Sequence, residues 1–167
     1  GIDYDHPDIY PTREEYYDAF RLFISQSFHT IIWRSDAEKL GLQSSETIQI
    51  IEDNDERLEQ LHIAGHVNRK NALLVAELMA FERGVPVNNV IPLLNNFPGI
   101  SRRFEVHVPS LVTDYANTQK KIEGALQLAH EVAGENVVVV YEGLHNTRQH
   151  FIKDDLMHLF DSVKKLY

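Results

Sequence analysis

The sequence predicts an α/β protein with a mostly parallel sheet. Three observations carry the prediction. Strand-length apolar runs recur in "HTIIW", "TIQII" and "NVVVVY", and segments with helical apolar spacing alternate with them. The valine run at 136–141 has no polar member between Val137 and Val140, as expected of a strand buried on both faces. Alternation of this kind builds layers around a parallel sheet.

The elements follow in order. "YPTREEYYDAF" opens a helix, because Thr12 and Glu15 have the spacing of a capping box and Tyr16, Ala19, Phe20 and Phe23 recur on one face. "HTIIW", 29–33, reads as a strand. Ser35 and Glu38 repeat the capping-box spacing for a short helix that stops near Gly41. "TIQII", 47–51, is the next strand, and the acidic "EDNDE", 52–56, reads as a solvated turn. A helix is predicted over Asn68 to Arg83, with Ala72, Val75, Ala76 and Met79 as its apolar face and Gly84 past its end. A shorter helix over roughly 87–96 contains Pro92. The Pro/Gly turn in "NNFPGISRRFEVHV" then leads into a strand and is the expected domain boundary, giving 1–100 and 101–167. "SLVTDY" ends a strand, Ile122, Ala125, Leu126, Ala129 and Val132 mark a helix face, and Asp154 to Lys165 reads as helical.

Composition bounds the function. The chain has 167 residues, 43% of them apolar, which is enough for a packed core. With 25 acidic and 16 basic residues the formal charge is −9, against nucleic-acid binding, which needs clustered Lys and Arg. There is no cysteine, so thiolate chemistry and disulfides are excluded and a cytoplasmic location is expected. No apolar run approaches the ~20 residues that cross a bilayer, so no membrane partner is expected.

Ligands of parallel sheets gather outside the carboxyl ends of the strands. Asp114 closes one strand there, where a carboxylate can accept from ribose hydroxyls, orient an arginine or cap a turn. Glu142, His145, Asn146 and Arg148 follow another strand as a polar loop or a binding loop. Arg102 and Arg103 are adjacent; in a strand they face opposite sides, so one can reach a phosphate while the other meets solvent. Asn68 and Asn71 lie three apart near the start of one helix, where an amide can read an adenine edge or cap the helix. His6 sits between Asp5 and Asp8, as a surface histidine or as a ligand for a divalent ion. No G-x-x-x-x-G-K-[ST] phosphate loop is present.

Taken together, "IDYDHPDIYPTREEYYDAF", "GHVNRKNALLVAELMAFERGVP", "FPGISRRFEV", "TDYANTQKKIEGAL" and "VVVVYEGLHNTRQHF" occur in the order found in Mur ligases, and the resemblance spans almost the whole chain. It implies an excised piece: residues 1–100 as the C-terminal part of a central ATPase domain, and 101–167 as the start of a Rossmann-like C-terminal domain. It also implies ATP and Mg2+ as cofactors, the parent's missing domains as partners, and UDP-N-acetylmuramate and L-alanine as substrates joined through an acyl phosphate. A murein tripeptide is the alternative substrate, and a degenerate nucleotide-binding or interaction module the alternative role.

By the same resemblance His6 holds magnesium, and Asn68 and Asn71 meet the adenine. Arg102 or Arg103, with Asp114, serves the ribose and phosphates across the domain gap, so Asn71, Arg103 and Asp114 are expected to converge on one triphosphate cleft. Arg148 receives the amino-acid carboxylate. The chain departs from the family at Val67, where a histidine is usual. Asn117, Thr118 and Gln119 replace His-His-Pro, which leaves Asn117 in a catalytic position, and Glu142, Gly143 and Leu144 replace Gln-Pro-His. An excised piece is expected to expose apolar surface near residues 1–60 and to self-associate.

Overall fold

The computed structural model describes residues 1–143, 153–154 and 156–167. These form two compact units, Gly1–His62 with Lys70–Leu94, and Ile63–Arg69 with Asn95–Tyr167.

The first unit starts with helix α1, Arg13–Ser25. Its capping box is complete: Thr12 Oγ1 accepts from the Glu15 amide, and the Thr12 amide donates to the Glu15 carboxylate. Strand β1, Thr30–Trp33, runs into helix α2, Arg34–Leu40, which ends at Gly41 in the left-handed region at φ 66°. The expected Ser35 cap is not formed. Trp33 occupies the cap position without a side-chain bond, because Ser35 is already inside the helix and its hydroxyl is bound to Asp53. Strand β2, Ile48–Ile51, pairs with β1 in parallel, with Thr30 opposite Ile48 and Trp33 opposite Ile51. Ile2, Ile24, Ile32, Ala37 and Leu40 form the core between this pair and the two helices.

After a short 3-10 helix at Glu56–Gln60 comes α3, His66–Arg83, of which residues from Lys70 onward belong to the first unit. Its buried face is Ala72, Leu73, Ala76 and Glu77. The predicted face is turned from this: Ala72 and Ala76 are buried, but Val75 and Met79 are exposed. Helical spacing alone does not choose between overlapping apolar stripes on a helix that is apolar over more than half its circumference. Val75 and Leu78 instead line an open apolar groove of about 470 Å3 with Phe28, His29, Ile31 and Phe81. The His29 ring stacks on Phe81 at 3.8 Å. Leu22, Phe23 and Phe28 are exposed. Helix α4, Val87–Asn95, contains Pro92 and buries Val90 and Ile91.

In the second unit, strands β3, Glu105–Val108, and β4, Leu111–Thr113, form an antiparallel hairpin. Helix α5, Gln119–Ala133, buries Ile122, Leu126 and Leu128. Strands β5, Val138–Val139, and β6, Lys165–Leu166, pair in parallel. The described strands thus make three two-stranded sheets, two parallel and one antiparallel. The valine run is not buried on both faces: Val137 is buried, whereas Val138 is 53% and Val140 81% exposed, because a two-residue parallel pair covers too little of it. The helix expected over Asp154 to Lys165 is also corrected. Its described residues are helical only at the start, turns follow from Met157, and the segment ends in β6.

Residues 63–69 pack on α5 through Gly65. Gly65 has φ 86°, and a Cβ there would lie 2.7 Å from Leu128 Cδ1. His66 N donates to Gln127, and Arg69 pairs with Glu131 at 2.7 Å. Gly65→Ala is expected to destabilise the second unit by roughly 2–4 kcal/mol through left-handed strain and overpacking, measured by urea unfolding monitored over both units.

Candidate functional site

The carboxyl ends of β1 and β2 lie side by side, and the residues just beyond them form a charge network. Arg34 meets Glu52 at 2.7 Å. Asp53 accepts from the Ser35 amide and hydroxyl, at 2.8 and 2.9 Å, and from Lys70, whose ammonium also lies 4.3 Å from the centre of the Trp33 ring. Arg57 binds Asp55 at 2.7 Å and Glu77 at 2.6 Å, and Gln49 donates to the other Glu77 oxygen at 2.9 Å. The acidic run read as a solvated turn is thus partly paired: Glu52, Asp53 and Asp55 each meet a cation, while Glu52 and Glu56 stay exposed. Burial pushes the Asp53 carboxyl up, but the hydrogen bonds from Lys70 and Ser35 outweigh it and leave the group below its ordinary value. The hydrogen bond from Arg57 likewise holds Asp55 low against burial. Lys70 was missed from sequence; its signal was a cation between Asn68 and Asn71, two residues that point to a helix start near the acidic run.

His6 lies in a loop of the same unit with φ 59°. Its amide donates to the Asp5 carboxylate at 2.8 Å, and its Nδ1 is 3.9 Å from Asp8. Among the described residues no three His, Asp or Glu side chains gather into a metal-holding group. The loop offers the His6 imidazole with the Asp8 carboxylate 3.9 Å away, fewer donors than a closed metal site uses. Burial first, then the charges of Asp5 and Asp3, hold the neighbouring Tyr16 phenol above its ordinary value. Asn71, also in this unit, is exposed on α3.

In the second unit Asn68 is in the first turn of α3, and its amide donates back to the Ala64 carbonyl at 2.9 Å. Arg102 and Arg103 precede β3 instead of lying in it, so the opposite-faces expectation does not apply. Arg102 takes φ 62° and Phe104 φ 47°, and Arg103 N donates to Ile100 in the turn. This turn is tied by side chains. The Arg102 amide and the Ser101 hydroxyl both donate to Glu105, which holds its carboxyl low, and the Phe104 amide donates to Asp114 at 2.8 Å. Asp114 acts as a turn cap from the start of the segment after β4, while both arginine side chains are exposed. Asn117 accepts from Lys121 at 3.1 Å, just before α5. Arg148, with His145 and Asn146, lies outside the described residues, and Glu142 is exposed.

No protein-family model matches the chain. Curated relatives do. A UDP-N-acetylmuramate–L-alanine ligase of Thermotoga neapolitana is 39% identical over 102 residues, covering 56% of this chain and 22% of that protein. The ligases of the same name from Clavibacter sepedonicus and Streptococcus pneumoniae are each 25% identical and cover 98% and 100% of this chain. The chain is related to the Mur ligases. It spans less than half the length of these relatives, 41% and 45% for the last two. Those two alignments run to 195 and 199 positions against a chain of 167, so the Mur ligase relatives hold extra residues within the matched stretch. Among the described residues no helix is long and apolar enough to cross a membrane.

Removing Arg57 strips the cationic partner from Glu77, whose side chain is only 8% exposed, and leaves it the Gln49 amide alone. Arg57→Met is expected to cost about 2–3 kcal/mol at neutral pH. The Asp55 value is depressed, so its share of that stability is present above its unfolded value near pH ~4 and fades as pH falls through the lower folded value. The gap between wild type and Arg57→Met should therefore be full at pH 7 and narrow below about pH 4, measured by urea unfolding across that range.

Proposed function

We propose that this chain carries part of an ATP- and magnesium-dependent amide ligase of peptidoglycan synthesis, which joins L-alanine to UDP-N-acetylmuramate. The observation that carries the reading is the match of the whole chain to ligases of that name, with the motif order intact. In this reading residues 1–100 are the end of the central ATPase domain and 101–167 the start of the Rossmann-like domain. The parent's other domains complete the protein, and self-association through exposed groups such as Phe23 and Phe28 takes over where they are absent. The setting is cytoplasmic.

The reaction asks for several anionic oxygens to be gathered and neutralised while an amine attacks an activated carboxyl. ATP phosphorylates the muramyl carboxylate, the amine displaces phosphate, and an amide forms. Asn68 and Asn71 donate to and accept from the adenine edge. Arg102 and Arg103 supply cationic donors to phosphate oxygens. Asp114 accepts from a ribose hydroxyl through the oxygen that does not cap Phe104. Arg148 pairs with the carboxylate of the incoming amino acid. Asn117, at the position of a family histidine, donates an amide hydrogen bond in place of an imidazole. His6 gives one ligand to magnesium, which when bound screens charge on the phosphates.

The Asn117–Gln119 and Glu142–Leu144 replacements favour a second reading, a nucleotide-binding module without ligase turnover. Phosphate release by the full-length parent, with ATP and UDP-N-acetylmuramate, separates the two. L-alanine-dependent release is expected. Release with murein tripeptide alone reassigns the substrate, and silence with every amino acid and peptide establishes the module. The isolated 167-residue chain is expected to show no ATP turnover. In an active parent Asn71→Ala should raise KM for ATP about tenfold, one lost adenine hydrogen-bond pair, with little change in KM for L-alanine.

A further inference from the structure

One face of the first unit leaves large apolar side chains in water. Phe28, in the turn between α1 and β1, is 87% exposed, and its ring centre lies 6.4 Å from that of Phe81 on α3. Both line the open groove of about 470 Å3, together with Ile31 from β1 and Val75 and Leu78 from α3. Leu22 and Phe23, on the last turn of α1, are exposed as well. A whole aromatic side chain presents about 150–250 Å2 and an aliphatic one less, so Leu22, Phe23, Phe28, Val75, Leu78 and Phe81 leave roughly 600 Å2 of apolar surface uncovered. That is the upper end for the largest patch of a monomer. Two such areas brought together give about 1,200 Å2, where stable interfaces begin.

Charge narrows the choice of occupant. Each copy of this chain carries −9, so two copies repel except where charge is sparse or balanced. Among the residues lining the groove the only Asp, Glu, Lys or Arg is Glu82. Arg83 follows it, and both are exposed at the end of α3. Among the described residues neither forms an ion pair. A knob beside a hollow, and an acid beside a base, are self-complementary about a twofold axis, because each group meets its mate on the other copy. A small apolar ligand in the groove would leave Phe23 and both end charges uncovered.

We propose that this face pairs with the same face of a second copy, Phe28 of each entering the groove of the other and Glu82 of each meeting Arg83 of the other. The proposal deepens the self-association expected when the chain is read as part of a ligase, and names its surface, symmetry and stoichiometry.

The test is sedimentation equilibrium of the 167-residue chain from about 1 to about 200 μM, the range that reads a micromolar dimer. A monomer–dimer equilibrium is expected. Phe28→Ser and Val75→Asn change exposed positions, and circular dichroism checks that both variants stay folded. Each should weaken the dimer about tenfold. Glu82→Arg and Arg83→Glu each place two like-charged contacts across the axis and should also weaken it about tenfold. Net charge alone would move those two variants in opposite directions. The double variant Glu82→Arg/Arg83→Glu should regain wild-type association. A monomer over the whole range overturns the proposal and leaves the face to another segment of the parent. Association that both Phe28→Ser and Val75→Asn leave unchanged overturns it too. So does growth past the dimer with concentration, or a double variant as weak as the single ones. The ligase reading stands or falls separately, on phosphate release by the parent.

Discussion

Where β1 and β2 end side by side, charge accumulates at one edge of the first unit, and its neutralisation governs how that unit is built. Three carboxylates follow β2 within four residues, and each has a cation brought from elsewhere: Arg34 from the start of α2, Lys70 from α3, and Arg57 from the short helix between. Desolvating a carboxylate without a partner is far more costly than leaving it in water. The strand ends are thereby tied to α2, α3 and the turn that carry those cations, most firmly at Asp55, the least exposed of the three carboxylates. Buried Glu77 extends the same constraint inward, since Arg57 and Gln49 both reach it. Lys70 over the Trp33 ring covers the apolar edge of this rim and gains a cation–π contact while paired to Asp53.

The second unit depends on backbone conformation more than on charge. Its turn before β3 holds two residues other than glycine at positive φ, Arg102 and Phe104, and both amides are bound by carboxylates, Glu105 and Asp114. Those bonds offset the strain of the left-handed region. One consequence bears on function. Asp114 and the arginines are linked through the main chain of the turn, so the place of the Asp114 carboxylate and the aim of the arginine side chains are set by the same few residues.

The ligase relatives were legible in the sequence, while the arrangement of the candidate residues was not. Motif order pointed to the ligase relatives, and the residue types at His6, Asn68, Asn71, Arg102, Arg103 and Asp114 pointed to nucleotide and cation chemistry. How those residues are held was not legible. Asn68 bonds back to Ala64, and Asp114 caps Phe104, because short polar side chains take the nearest free backbone group and several compete. Nothing local marked Lys70 as the partner of Asp53, since the two lie on different elements.

By itself the sequence determined the local elements whose signals are contained within a few residues. The Thr12–Glu15 box started α1, Gly41 stopped α2, and the β-branched runs made β1 and β2. Such signals act through bonds between near neighbours and need no tertiary context. Only the tertiary structure decided which face of α3 is buried, that Val138 and Val140 are exposed, that Ser35 serves Asp53 instead of a helix cap, and that three carboxylates of the acidic run are paired. Each of those outcomes turns on which distant group arrives first to exclude water or supply a counter-charge, and neither residue spacing nor propensity encodes that.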